Sequence, residues 1–393
     1  MSDNASMPQE NNAVSLLTIA HEWTKLGLIG FGGPPTHIVL LRRLCVQERH
    51  WLEPEEFEDA IAATNLLPGP ASTQLAIFCA WKLRGARGAI IGGLGFICPG
   101  LLMIIALSAV FLSKHPPIGV LGAAAGAGAA VPAVALNASL ALVPASWKRI
   151  GDVLAQRCRW AVYAVAGAVS AAIVGQYLVA TLIACGVVEI LIRRHQESGA
   201  RGLSRSILFG AMHSTAVGGL AALAWVALKV GALSYGGGFV IVPLMQHDAV
   251  TTYHWMSGPQ FLNAVALGQV TPGPVVQTVA VVGYAAAGLG GALLAAALAF
   301  APSFAFIIGG GSKFGKIRSN SSVQGFLTGA GPAVIGAIAG SAIPLGLSLH
   351  LYWQIAVLAG ALLWLLFARR GVVACLLTAG VVGSILALAG VHV

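Results

Sequence analysis

Leu66-Leu67-Pro68-Gly69-Pro70-Ala71-Ser72-Thr73-Gln74 returns 204 residues later as Val270-Thr271-Pro272-Gly273-Pro274-Val275-Val276-Gln277-Thr278. Each proline lacks a backbone N–H and clashes with the turn before it, so Pro-Gly-Pro ends a helix. Both copies lie inside long apolar stretches, 57–81 and 258–284. In hydrocarbon, an open backbone survives only where protein or a water-lined path covers it. Each stretch is therefore read as two half-helices that dip in and return.

The copies are part of a larger repeat. Lys25–Ile77 aligns without a gap on Lys229–Val281, and 15 of those 53 positions are identical. Gly32-Gly33 matches Gly236-Gly237, His50-Trp51 matches His254-Trp255, and Phe57 matches Phe261. One gap later the offset becomes 203 and pairs Gly85 with Gly288 and Pro99 with Pro302. Self-similarity of this kind marks a duplicated unit, expected over 1–200 and 201–393.

Composition sets the solvent. The 393 residues are 57% apolar and 9% charged, with mean hydropathy +0.84, whereas a soluble domain carries about a quarter charged residues. The fold class is an all-α polytopic membrane protein. Net charge +9 comes from Lys and Arg in short loops, a membrane-loop pattern with no nucleic-acid surface. The six cysteines show no CxxC or metal spacing, so neither a metal centre nor a disulfide framework is expected. No cleaved signal peptide is expected at the N-terminus.

Six apolar segments occur in each half, near 14–33, 57–81, 86–113, 117–146, 160–176 and 178–192 and again from 207 to 391. If the broken segment dips, five cross. An odd number inverts the second half relative to the first. Basic residues support this under the positive-inside rule: Arg42, Arg43, Arg49, Lys82, Arg84 and Arg87 flank the first dip, while 245–257 and 285–287 hold none. Lys148, Arg149, Arg157, Arg159, Arg193, Arg194, Arg201, Arg205, Lys313, Lys316, Arg318, Arg369 and Arg370 then fall inside, and Lys114 alone outside. The expectation is an inverted repeat of about ten crossings and two re-entrant broken helices, both termini extracytoplasmic. Twelve crossings in parallel halves is the alternative.

The stretches Lys25–Pro34 (KLGLIGFGGP), Leu66–Gln74 (LLPGPASTQ), Val230–Phe239 (VGALSYGGGF) and Leu267–Pro274 (LGQVTPGP) resemble the long-chain, two-domain form of the chromate ion transporter family, over essentially the whole chain. The resemblance implies chromate efflux across a prokaryotic inner membrane and chromate resistance, with sulfate or another oxyanion as the rival cargo. Tyr235 stands where the family commonly has Phe, and Gln246-His247-Asp248 where a more basic stretch is usual.

The residues suit such a cargo. Desolvating a tetrahedral dianion demands replacement donors, and free amides at a helix N-terminus bind anions without a full counter-charge. Pro70 fits the first helical position, aiming the amides of Ala71, Ser72 and Thr73 at the break. Candidate binding residues in the first half are Lys25, Gly32, Gly33, Asn65, Pro68, Gly69, Pro70, Ser72, Thr73 and Gln74. Their counterparts are Lys229, Gly236, Gly237, Gln269, Thr271, Pro272, Gly273, Pro274, Gln277 and Thr278. For the breaks, plain chain reversal is the alternative; for the lysines, snorkelling; for the glycines, helix packing. His37 faces Ile241 in the repeat and reads as a capping or interfacial residue, and Trp51 and Trp255 as interface anchors. No HExxH, GxSxG or acidic pair lies in the apolar core, which argues against an enzyme and against any cofactor. The lipid bilayer and a small oxyanion are the expected partners; a homodimer is allowed but not required.

Overall fold

The computed structural model describes residues 14–65, 67, 69–113, 115–151, 153–175, 177–197, 219–234, 239–310, 320–368 and 370–392. Pro68, Gly236 and Gly237 lie outside the described residues. So do Lys114, Arg201, Arg205, Lys313, Lys316, Arg318, Arg369 and the boundary expected at 200/201.

The described chain is helical, with no strand, and the same seven helices occur twice. The first set is α1 (Leu16–Ile29), α2 (Pro34–Arg42), α3 (Pro54–Thr64), α4 (Ala71–Phe111), α5 (Ile118–Ile150), α6 (Leu154–Val169) and α7 (Leu178–Glu197). The second is α8 (Leu220–Leu233), α9 (Ile241–Gln246), α10 (Gly258–Val270), α11 (Thr278–Gly310), α12 (Ser321–Leu347), α13 (Tyr352–Leu362) and α14 (Val372–Leu388). Irregularities repeat too. Six-residue π-helical turns, Arg43–Glu48 and His247–Thr252, follow α2 and α9. His50 and His254 are the only described non-glycine residues with positive φ, at 50° and 52°. This is a polytopic membrane protein: Ala71–Phe111, Ile118–Ile150, Val275–Gly310 and Ser321–Leu347 are long and apolar enough to cross. Large apolar side chains such as Leu17, Ile173, Leu347 and Phe367 stand on the outer surface, as lipid contact requires.

α4 is two antiparallel arms. Arg84 and Gly85 leave helical geometry, Gly85 at φ 57°, and a Cβ on Gly88 would strike the Ala80 carbonyl of the first arm. Ala287 and Gly288 reverse α11 in the same way. The first arm of α4 also pairs with α3: Lys82 bridges to Glu56 at the start of α3, so the two run antiparallel with Gly69 and Pro70 at the turn.

The segment 14–33 differs from its expectation. α1 has 14 residues, about 21 Å at 1.5 Å per residue, short of the roughly 30 Å hydrocarbon core. It stops at Gly30, and Gly32 and Gly33 take φ of 100° and 74°, which only glycine adopts freely. α2 then folds back: His37 reaches the Gly30 carbonyl, Trp51 stacks on Trp23, and Arg49 pairs with Glu22. The first half therefore begins with a Gly-rich hairpin, α1 and α2, followed by the hairpin of α3 and the first arm of α4, where the sequence predicts one crossing and one dip.

The halves interlock through α5 and α12. α5 packs on α14 and α13 of the second half, while α12 packs on α6 and α7 of the first. Glycine makes this possible: Gly122 and Gly126 meet the backbone of Ala379 and Gly383, and Gly329 meets Cys185. In lipid there is no hydrophobic drive between helices, so close van der Waals contact must hold them. The far end of α11 enters the first half's core, where Ile307 is buried with Trp23, Leu41 and Phe57. Ile104 and Ile105, at the far end of α4, are buried in the core that holds Leu223, Met245 and Phe261.

Candidate anion site at the paired helix breaks

The first break leads from Asn65, the C-cap of α3, to Pro70. Pro70 is the N-cap of α4 rather than its first helical residue, one position from expectation. The amides of Ala71, Ser72 and Thr73 still precede the first helical acceptor pair, Gln74 N–H to the Pro70 carbonyl at 3.0 Å, so they are the free donors of the first turn. In the second break Pro274 caps a 3-10 turn, Val275–Gln277, before α11 begins at Thr278.

Glycine lets each tip touch the other half. Gly273, at φ 92°, donates its N–H to the carbonyl of Gly30 at 2.9 Å. Gly69, at φ 119°, lies so close to the Gly231 carbonyl and the Ser303 hydroxyl that an added Cβ would sit 3.4 Å from each. Both breaks thus contact the end of the other half's first helix. Gln277 extends the junction, donating Nε2–H to the Ile97 carbonyl of α4 at 2.8 Å.

Around these tips sit buried polar atoms without hydrogen-bond partners: Thr73 Oγ1, Gln269 Nε2, Gln277 Oε1 and Ser303 Oγ. Thr73, Gln277 and Ser303 are 0% exposed. Leaving such a group unsatisfied costs about 1–3 kcal/mol, and native folds keep few of them. These unpartnered groups, drawn from both halves, are the candidates for contacts with a polar guest. No Asp, Glu, Lys, Arg or His occurs in 65–79 or 269–283, so the available donors are amides, hydroxyls and carboxamides. Such a set attracts an anion through dipoles and lets it leave again.

The structure gathers Gly69, Pro70, Ser72, Thr73, Gln74, Gln269, Thr271, Pro272, Gly273, Pro274, Gln277 and Thr278 in buried positions at the breaks. Thr271 and Thr278 turn inward on their own helices, donating to the Leu267 and Val275 carbonyls. Gly33 is half-buried beside Val275, whereas Gly32 and Asn65 are exposed. The lysines stand apart. Lys25 is exposed on α1, and Lys229 pairs with Asp248 on the π-helical turn after α9.

Sequence reasoning missed Ser303, because its partner in the repeat is Gly100 and no polar pair announced it. The paired prolines just before them, Pro99 and Pro302, were the available signal. His37 was also set aside, yet it is 1% exposed and bonded to Ser72 in the first turn of α4.

Curated proteins similar to this chain include a chromate transport protein of Cupriavidus metallidurans, 30% identical over 359 residues, covering 87% of this chain and 88% of that protein. A probable chromate transport protein of Synechococcus elongatus is 29% identical, covering 89% and 90%. A chromate transport protein of Pseudomonas aeruginosa is 31% identical, covering 82% and 79%. No solved structure matches. The family profile described as chromate transporter matches residues 17–190 and 221–384, one copy for each set of seven helices, and the chain belongs to the chromate transporter family.

Proposed function

We propose that this protein exports chromate from the cytoplasm across a prokaryotic inner membrane, so conferring chromate resistance, and that it holds the dianion between the two Pro-Gly-Pro tips during alternating access. The observation that carries the proposal is the charge-free set of unpartnered Thr73, Gln269, Gln277 and Ser303 contributed by both halves, the first three beside the helix breaks and Ser303 against Gly69. The names of the relatives point to chromate as the cargo.

Inversion of the halves is supported by the basic loops, since Lys and Arg flank the first half's hairpins and the matching loops 245–257 and 285–287 of the second hold none. The end of α4 lies in the second half's core and the end of α11 in the first's, so each half is completed by the other's arm. An inverted pair can expose one central site to either side by rocking. An inside-negative potential drives a dianion outward with about 4.6 kcal/mol at 100 mV, twice the single-charge value. Dipolar donors read charge and shape, so sulfate is the expected competitor.

The test is uptake of radiolabelled chromate into inverted membrane vesicles with and without the protein, energised and de-energised, with sulfate added in parallel. Potential-dependent accumulation supports export. Equal accumulation in protein-free vesicles removes the assignment of cargo and direction.

A further inference from the structure

The imidazole of His37 contacts the first break directly and shares a carbonyl with the second. Its Nε2 lies 2.9 Å from the Gly30 carbonyl, the same oxygen that accepts the N–H of Gly273 from the second break. Its Nδ1 lies 3.2 Å from Ser72 Oγ in the first turn after the first break. The Phe96 ring closes the site edge-on at 5.0 Å. A carbonyl only accepts, so Nε2 carries the hydrogen, and in the neutral ring Nδ1 accepts from the Ser72 hydroxyl.

We propose that His37 is the protonation site of the anion-binding region and takes up one proton at Nδ1 as a dianion binds between the breaks; this rests on the reading of the breaks as the binding site. The proton comes from solvent and no covalent bond changes. Nδ1–H then donates to Ser72 Oγ, which turns the Ser72 hydroxyl hydrogen outward as a new donor. The bound charge falls from −2 to −1. A nearby anion favours the imidazolium and the imidazolium favours the anion, so the two binding events reinforce each other.

Among the described residues around α2, no other charge is placed to do this. On the elements packed against α2, Glu22 is held by Arg49, Arg42 by Glu58, Arg43 by Glu48 and Lys82 by Glu56. Arg84 bonds the Val14 carbonyl, and His21, Lys25 and Arg87 are exposed. Cys45, Cys79 and Cys98 are the remaining titratable groups there. The second half offers Ile241 in place of His37, so the proton site exists once per chain.

The experiment measures labelled chromate binding to the full-length protein in nanodiscs from pH 6 to 8.5, for wild type and His37→Gln. Chromate's own titration is common to both, so their difference isolates His37. A linked proton changes affinity by up to about tenfold per pH unit. Wild type should tighten as pH falls by more than His37→Gln, which keeps only the change due to chromate's own titration. Identical pH profiles overturn the proposal and leave the anion site standing; absence of binding in both overturns the two together. Should the Gln variant fail to fold, proton uptake by wild type on adding chromate at pH 8 in weak buffer decides. About one proton per anion at most is expected, and none at all refutes it.

Discussion

Replacing Thr73 by Val should make the protein more stable and worse at binding its anion. Thr73 Oγ1 is buried without a hydrogen-bond partner on a residue 0% exposed. Val keeps the shape and removes the hydroxyl, so the empty protein should recover part of the roughly 1–3 kcal/mol that an unsatisfied buried group costs. The bound state loses a hydrogen bond to a charged guest, worth about 1.5–3 kcal/mol, or roughly 10- to 150-fold in affinity. Thr64, on the adjoining arm of the same hairpin, is the control. It is 1% exposed, but its hydroxyl already donates to the Ala60 and Ile61 carbonyls at 2.8 and 3.2 Å. Thr64→Val should therefore lower stability by about 1 kcal/mol and leave affinity alone. The assay is thermal unfolding of the detergent-solubilised protein without anion, beside labelled chromate binding. If Thr73→Val lowers the unfolding midpoint and binds chromate like wild type, its hydroxyl is structural and the orphaned atoms do not mark the site.

Three further outcomes are expected. Cys158 is exposed among the basic residues assigned to the cytoplasmic side, so a membrane-impermeant thiol reagent should label it in inverted vesicles and spare it in intact cells; the reverse pattern would overturn the proposed orientation. Lys229→Ala strands Asp248, whose side chain is 16% exposed, and should destabilise by up to about 3 kcal/mol, with Lys229→Ala/Asp248→Asn recovering most of it; transport lost from the stable double variant would instead give the lysine a direct role. Gly126→Leu drives a side chain into the Ala379 backbone and should abolish correctly assembled protein through overpacking, whereas Gly290→Leu, with open space around it, should be tolerated.

The duplication and the breaks were legible because both rest on residues with few conformational alternatives. Proline cannot continue a helix, glycine alone accepts the dihedrals at 69 and 273, and the copies agree there. Lys25 was also decidable in principle. Ile19, Glu22, Trp23, Leu26 and Gly27 form the buried stripe of α1, so helical rotation turns Lys25 away from it. The return of α2 was harder to see, since an apolar run of crossing length conceals where its helix stops. Single-copy features were illegible for a different reason. Comparing halves rewards what recurs, and Ser303 opposite Gly100 or His37 opposite Ile241 looks like noise until the fold brings them to the tips.

That asymmetry bears on the transport cycle. Backbone donors are present at both breaks, but their polar side chains are exchanged: Ser72 faces Val276 in the repeat, Thr73 faces Gln277, and Gln74 faces Thr278. A perfectly symmetric inverted pair would have inward- and outward-facing states of equal energy, because rocking exchanges the roles of identical halves. Any intrinsic preference must then come from contacts made once. The first half ties its opening hairpin with Glu22–Arg49, the second with Lys229–Asp248. Gly329 meets the Cys185 backbone and the Cβ of Glu189, a side chain clamped by Arg159 and Arg193, and its counterpart Gly126 meets the backbone of Ala379 and Gly383. The seam at α12 therefore carries side-chain hydrogen bonds, from Arg193 to Thr328 at 3.0 Å and from Arg194 to Ser322 at 3.1 Å, whereas the seam at α5 is small-residue packing. Their unequal resistance to separation is the physical source from which a resting state would follow.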